Sequence, residues 1–354
     1  MQRQSAFYDH FRETWPLLIL IISIVLIVAV IEAVGDRIIS QTLTEALIRL
    51  IVVVGLYIFV GNSGLLSFGH IAFMMIGAYA TAWQTMEPMS KDIFIPGLPT
   101  FLLENSFHWL LSTIAAGLLS ALVALITGIA LMRLSGIAAS IATFAMFMSL
   151  YSFYLQWSTW TAGQSSLVGI QVTTTPWVAL AFAVTSMVGA FLYSRSRFGL
   201  ALRSSREDEV AAKAAGVNVT MQRLIAFTIS AFFVGMAGGL YGHFLGLLTV
   251  DTFYLGTTFI TLSMLVVGGM QSLAGAVVGV TVMSFLIEFL RKWESGFTFG
   301  DVTVGLPANS SQVGLGVVML LILIFRPSGL TRGLEIHWPF RPKVTTKEVT
   351  QRQS

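Results

Sequence analysis

The sequence predicts an all-α, polytopic integral membrane protein with about ten transmembrane helices. Hydrophobic residues make up 55% of its 354 residues and charged residues only 10%, whereas a soluble domain has roughly 25% charged residues. The mean hydropathy is +0.81. Apolar segments near the length needed to cross a bilayer recur along the whole chain. They lie at residues 15–34, 44–60, 68–87, 108–131, 136–155, 176–194, 223–249, 256–270, 274–291 and 310–326.

The first apolar run, residues 15–34, has no small-residue cleavage pattern after it and is therefore expected to be retained as a helix.

Glycine-containing breaks lie at the ends of two other segments. Gly61-Asn-Ser-Gly64 is either a loop or a stretch of helix unwound inside the protein, which membranes tolerate only around a cavity. Residues 268–275 form a turn-like break between two short spans. Without this break, the two spans would be one overlong helix.

The distribution of basic residues predicts the orientation. Fifteen Lys and Arg residues fall on the side of both termini and of the central loop, and five fall on the other side. Because cytoplasmic loops carry the excess of positive charge, both termini are expected in the cytoplasm. This divides the chain into a cytoplasmic N-terminus (1–14), a transmembrane domain (15–326) and a cytoplasmic tail (327–354).

Several function classes have no support in the sequence. The net charge is +3, but the basic residues form no aromatic-interleaved patch, so no nucleic-acid partner is expected. There is no cysteine, no phosphate-binding loop and no metal-ligand spacing among the five histidines. We therefore expect no catalytic residues, no metal and no bound cofactor. The acids Glu45, Asp251 and Glu288 lie near predicted span ends, which argues against a proton-driven carrier because such a carrier needs a carboxylate at mid-depth.

The central loop, residues 194–223, is the only long charged interruption between apolar spans. Ser205 and Asp208 have the spacing of a capping box, and Gly216 lies where a left-handed helix stop is expected. The pattern predicts a rigid helix of about ten residues, roughly 15 Å long, at the membrane surface. Such a helix either docks on a partner or is a solvated linker. The candidate coupling residues are Arg206, Glu207, Asp208, Glu209, Ala211, Ala212, Ala215 and Gly216.

Small polar residues beside the first break are candidates for a translocation pathway. They are Asn62, Ser63, Ser67 and His70. The alternative is that they satisfy the local backbone and let helices pack closely. Farther along, Gly235, Gly238, Gly239 and Gly242 repeat at helical spacing, which predicts close contact with another helix.

Two motifs carry a resemblance to a known family. Gly-Leu-Leu-Ser-Phe-Gly-His-Ile-Ala-Phe at residues 64–73 resembles a signature of the branched-chain amino acid ABC-transporter permeases, LivM type. Residues 198–219 and 226–243 are similar to that family's cytoplasmic loop and the helix after it. Val-Gly-Gly-Met at 267–270 and Phe-Arg-Pro-Ser-Gly-Leu at 325–330 also fit. The segment 161–169 departs from the glycine-rich loop expected there, which leaves the substrate open.

The resemblance implies a type II ABC importer-like permease of the bacterial inner membrane that is not itself an enzyme. Its implied partners are two ABC ATPase subunits that bind the ATP, a second, LivH-like permease, a periplasmic substrate-binding protein and membrane lipid. The implied cargo is a branched-chain or related amino acid. Urea or a short amide is the alternative substrate, and a structural or enzymatic subunit of a complex other than an ABC transporter is the alternative class.

Overall fold

The computed structural model describes residues 2–295, 297–299, 302–304, 307, 310–326, 328–333 and 335. Within them the chain forms fifteen α-helices, ten of them longer than twelve residues. The long helices are α1 (Gln2–Val34), α2 (Arg37–Leu56), α3 (His70–Thr85), α6 (Trp109–Leu131), α7 (Gly136–Gln156), α9 (Pro176–Arg195), α12 (Val219–Leu245), α13 (Leu255–Gly268), α14 (Leu273–Ser295) and α15 (Ser310–Phe325).

Short elements connect the long helices. The short helices are α4 (Pro88–Phe94), α5 (Thr100–Glu104), α8 (Ser158–Thr161), α10 (Arg197–Glu207) and α11 (Glu209–Ala214), with a 3-10 turn at Val250–Phe253. Strand β1 (Leu167–Val168) pairs antiparallel with β2 (Leu247–Leu248), and β3 (Phe297–Phe299) pairs antiparallel with β4 (Val302–Val304). Both pairs are formed by strands of only two or three residues, so the all-α prediction is confirmed.

Each of the ten predicted spans contains a long helix. In the described part of the chain, eight helical segments are long and apolar enough to cross a bilayer, where α13 is counted together with the 3-10 turn before it as Val250–Gly268. The other two, α3 and α15, have sixteen residues each. Because α3 is almost entirely buried, a short helix here is enclosed by its neighbours and does not face lipid. The tail beyond residue 335 lies outside the described residues.

Helices α3, α6 and α12 form the centre of the molecule, and glycines let their backbones touch. A methyl group on Gly77 would lie 2.0 Å from the Gly235 carbonyl oxygen, and one on Gly238 would lie 1.9 Å from that of Met74. No side chain fits between the helices at these crossings. The predicted close packing at Gly235, Gly238 and Gly239 is therefore confirmed, whereas Gly242 makes only ordinary contacts.

The first predicted break is an unwound segment inside the protein. Helix α2 continues as a π-turn over Tyr57–Gly61, a deviation that is frequent at functional sites. Asn62 and Ser63 are still helical, and the chain is irregular over residues 64–69, before α3 begins at His70. A methyl group on Gly61 would lie 2.5 Å from the carbonyl oxygen of Met270. The break in α2 thus touches the second predicted break, the turn between α13 and α14.

The connections between helices gather at two ends of the molecule. At one end, called here the coupling end, the break in α2, the α6–α7 turn, helices α10 and α11, and the α13–α14 turn contact one another. At the opposite end, Ile170 N donates to Gly246 O and Gly97 N donates to Thr159 O. Successive connections therefore lie at alternating ends of the molecule, as predicted from the sequence. The assignment of the coupling end to the cytoplasm stays a prediction.

Candidate coupling site

The predicted ten-residue helix is wrong, because the chain breaks at Asp208. Helix α10 runs to Glu207, and α11 is a separate helix of six residues, about 9 Å long. Ser205 is not a cap: it is buried inside α10, and its hydroxyl donates to Leu202 O at 2.7 Å. The N-cap of α11 is Asp208, whose Oδ1 accepts from Val210 N and Ala211 N at 2.9 and 3.0 Å.

The stop of α11 is as predicted. Gly216 has φ of +86°, in the left-handed region, and Val217 N donates to Ala212 O across it. This closes the helix with the bond of a Schellman motif. A side chain at Gly216 would meet nothing within 4 Å, so the need for glycine here is purely conformational.

One face of α11 is exposed and apolar. Val210 is 78% exposed, and Ala211, Ala214 and Ala215 are exposed beside it. Ala212, predicted as part of the docking face, points into the protein and is only 6% exposed. We call Val210, Ala211, Ala214, Ala215 and Gly216 the apolar tip. Val210 is the largest side chain on this surface, and the sequence analysis did not select it.

An ion pair anchors the base of α11. The carboxylate of Glu209 accepts from Arg223 Nη2 at 2.7 Å and is paired with Lys213 Nζ at 2.8 Å. Hydrogen bonds from Lys213 and Arg223 hold the pKa of the Glu209 carboxyl below its usual range. Arg223 is buried at the start of α12 and also donates to Leu134 O, on the α6–α7 turn. Glu209 therefore fixes α11 to the body and does not belong to the exposed surface.

Two arginines of α10 bind the break in α2. Arg203 donates through Nε to Asn62 Oδ1 at 2.9 Å and through Nη2 to Ser194 O at 2.6 Å. Arg206 donates through Nη1 to Gly61 O at 2.7 Å. Its other nitrogens contact Glu207, whose side chain is 73% exposed. Charge-assisted bonds of this kind are about twice as strong as neutral ones, so α10 and the α2 break form one bonded unit.

The predicted pathway residues are all buried and bonded locally. Asn62 donates to Ile58 O at 2.9 Å, and the Ser63 hydroxyl accepts from Leu65 N. Ser67 Oγ lies 2.8 Å from His70 Nδ1. The His70 ring is fully enclosed, with the rings of Phe59, Phe73 and Phe227 at 5.5, 6.0 and 5.3 Å. The structure thus brings Asn62 to the coupling helices and leaves Ser63, Ser67 and His70 in structural positions; their role in transport stays a prediction.

The described residues contain no group of three His, Cys, Asp or Glu side chains that could hold a metal ion. What the site can do is mechanical. An exposed tip sits on a short helix, the helix is fixed by Glu209 to Arg223, and the adjoining helix holds the unwound part of α2 through Arg203 and Arg206. A displacement of the tip would reach the break in α2 directly.

A polytopic helical body with two irregular breaks and a surface helix bonded to one of them is typical of a membrane transport subunit. The chain belongs to the family described as the branched-chain amino acid transport system permease component, which matches residues 38–323. It is a transporter component of ABC type, a permease subunit of an importer, and a multi-pass protein of the bacterial inner membrane.

Relatives agree with this family. The high-affinity branched-chain amino acid transport system permease protein LivM of Salmonella typhimurium is 26% identical over 325 residues, covering 81% of this chain and 68% of the relative. A probable LivM of Methanocaldococcus jannaschii is 30% identical over 140 residues, which cover 38% of this chain and 39% of the relative. The guanosine ABC transporter permease protein NupQ of Bacillus subtilis is 36% identical over 91 residues, or 26% of this chain and 27% of the relative. No solved structure matches the chain.

Proposed function

We propose that this permease imports branched-chain or related amino acids as part of an ATP-driven complex. The complex would contain two ATPase subunits, a second permease chain and an external substrate-binding protein, with ATP bound only by the ATPases. Support for the substrate comes from the name of a relative that matches 81% of this chain, the branched-chain amino acid permease LivM of Salmonella typhimurium. The NupQ relative transports a nucleoside by its name, so family membership leaves other substrates, including urea and short amides, as alternatives.

The observation that carries the proposal is the bonded path from the apolar tip to the break in α2. The tip exposes Val210 and three alanines on a surface that is otherwise charged. An apolar surface rimmed by charge is typical of a protein contact. When the ATPases close, the force on α11 passes through Asp208 to α10, and Arg203 and Arg206 pull on Asn62 and Gly61. The alternative of a solvated linker offers no reason for these buried bonds.

The proposal places the coupling end in the cytoplasm. Because the chain has no cysteine, single cysteines can be labelled with an impermeant maleimide in intact cells. The exposed positions Met89 and Ser165 belong to the predicted outer end, and Ser204 and Ala214 to the coupling end. Cysteine should react from outside at the first two positions and only after permeabilisation at the last two. External labelling at position 214 would contradict the orientation and the coupling proposal together.

Transport by the reconstituted complex tests the proposal as a whole. Uptake of leucine into liposomes should require the permease pair, the ATPases, the binding protein and ATP, and it should be unaffected by collapse of the proton gradient. Uptake by this chain alone, abolished by a protonophore, would contradict the proposal. Activity or cofactor binding by this chain without any ATPase would favour the alternative of a structural or enzymatic subunit of another complex.

A further inference from the structure

The outer surfaces of α6 and α7 differ in chemistry. Every exposed residue of α6 is apolar, and the serines and threonine at its helix contacts, Ser112, Thr113 and Ser120, are buried. The exposed face of α7 is apolar near the coupling end, but its outer half carries Ser149, Ser152 and Gln156. Together with Met148, Phe153 and Trp157, these three line a shallow, open depression on the surface of α7. Polar side chains are costly in contact with lipid hydrocarbon. We therefore expect α6 to face lipid and the outer half of α7 to face a more polar environment.

An exposed carboxylate is held by a tyrosine of the outer half of α7. Asp251 lies in the turn before α13, and its side chain is exposed. The Tyr151 hydroxyl, from α7, donates to Asp251 Oδ1. The Tyr254 ring packs on that of Tyr151 with centroids 4.5 Å apart. Within the part of the chain that the structure describes, Asp251 Oδ2 has no hydrogen-bond partner and thus remains able to accept one. The Tyr151 hydroxyl thus fixes the carboxylate in place with one acceptor oxygen free, and the exposed Tyr254 ring lies nearby as an aromatic surface for a cation.

A second polar group with spare bonding capacity lies behind the carboxylate. Tyr79 of α3 is fully buried, and its hydroxyl has no partner among the described residues. It is close enough to Asp251 and Tyr154 for these groups to interact electrostatically. A buried hydroxyl without a hydrogen-bond partner is costly in free energy. We therefore expect the Tyr79 hydroxyl to gain a hydrogen-bond partner when the site is occupied.

Aromatic rings continue from this point toward the coupling end. Phe147 packs on Tyr151 at 6.2 Å, and Phe68 lies 6.3 Å from Phe144 and 6.4 Å from Phe259. Phe259 is 51% exposed. The face therefore presents a carboxylate at its outer end and apolar rings below, in an order that matches an ammonium group joined to an apolar side chain.

We propose that the α7–α13 face is the outer wall of the translocation pathway and that Asp251 binds the ammonium group of an amino acid passing along it. The inference rests on the proposed function and deepens it, since it names the group of the substrate that this chain recognises. Asp251 Oδ2 would accept from the ammonium, and the exposed Tyr254 ring would stabilise its charge. Urea and short amides carry no positive charge, so a carboxylate would add little to their binding free energy.

The test uses the complete importer in liposomes, with wild-type ATP-dependent leucine uptake measured first. If the wild type imports no amino acid, the proposed function fails, and this result is separate from the variants. Given wild-type uptake, Asp251→Asn should reduce the rate at least about tenfold, as expected when an ionic hydrogen bond is lost. Asp251→Glu should recover part of it. Glu288→Gln, an acid at the same end but on α14, should leave the rate unchanged.

Charge rescue separates recognition from folding. In the Asp251→Cys complex, a methanethiosulfonate reagent that adds a sulfonate should restore part of the uptake, whereas one that adds a trimethylammonium group should not. Both reagents act on the same folded protein, and the treated wild type corrects for cysteines in partner subunits. Wild-type uptake by Asp251→Asn, or equal effects of the two reagents, would overturn the proposal.

Discussion

Helices α3 and α12 touch backbone to backbone, whereas α10 and α2 are joined by two arginine side chains. At the α3–α12 crossing, no atom can be added at Gly77 or Gly238 without moving main chain. At the coupling end, Arg203 and Arg206 reach Asn62 Oδ1 and Gly61 O through long side chains. Close-packed backbone transmits strain but allows no alternative arrangement, while hydrogen bonds from arginine can tilt and re-form. The centre therefore acts as a rigid frame, and the coupling end is where motion enters.

The largest effect should come from adding a methyl group to the frame. In Gly238→Ala, the new carbon would lie 1.9 Å from Met74 O, so the helices must separate. We expect destabilisation of about 3 kcal/mol or more and a loss of folded protein in detergent. Gly242→Ala is the matched control on the same helix, since its nearest neighbour would be at 3.6 Å. Equal melting temperatures for the two variants would show that the crossing is looser than described.

Removing an arginine from the coupling end should leave folding intact and reduce transport. Arg203→Ala loses two charge-assisted but only part-buried bonds, to Asn62 Oδ1 and Ser194 O. We expect substrate-stimulated ATPase and uptake to fall about tenfold or more with normal membrane insertion. The exposed Arg197 on the same helix, which stacks on Phe198, supplies the control: Arg197→Ala should transport normally. Normal coupling in Arg203→Ala would break the proposed path.

Changing the stop of α11 should have a smaller effect. Gly216→Val places a β-branched residue at φ +86°, which costs about 1 to 3 kcal/mol of backbone strain. Uptake should fall severalfold. Gly216→Asn should be nearly normal, because asparagine tolerates the left-handed region. If valine and asparagine behave alike, the conformation of residue 216 does not matter for coupling.

The smallest effect concerns the Glu209 ion pair and pH. Because the folded-state pKa of Glu209 is lowered, its contribution to stability is full above the unfolded pKa and is lost as pH falls through the folded one. The melting temperature of Glu209→Gln should lie below that of the wild type by a constant margin from pH 8 to about pH 5.5. The margin should vanish in acid, below the usual carboxyl range near pH 4. If the difference in melting temperature persists in acid, the destabilisation by Glu209→Gln comes from packing and not from the ion pair.

The spans were predictable because runs of about twenty apolar residues have one stable form in a bilayer. Gly216 was predictable because glycine after an alanine-rich helix marks a left-handed stop. The break at Asp208 was not predicted, since Ser205 and Asp208 both suit a cap and only tertiary packing decides. Leu202 is completely buried and Ser205 nearly so, and this keeps α10 helical past Ser205.

The bonds at the coupling end had no local signal. Arg203 and Asn62 are 141 residues apart, and Arg206 and Gly61 are 145 apart. Sequence reasoning assigned Asn62 to the pathway and Arg206 to the docking surface, whereas the structure joins both regions in one network. Asp251 was noted only as an acid near a span end, because nothing in the sequence places Tyr151 beside it.

The central claim is that the apolar tip contacts the ATPase and that this contact drives the break in α2. Photo-crosslinking from position 210 in the assembled, active complex tests it most directly. A photoreactive phenylalanine analogue at Val210 should crosslink to the ATPase subunit, with a yield that changes between the nucleotide-free and ATP-bound states. The same probe at Leu122, exposed on α6, should not reach the ATPase in either state. An active complex in which position 210 never crosslinks to the ATPase would contradict the account.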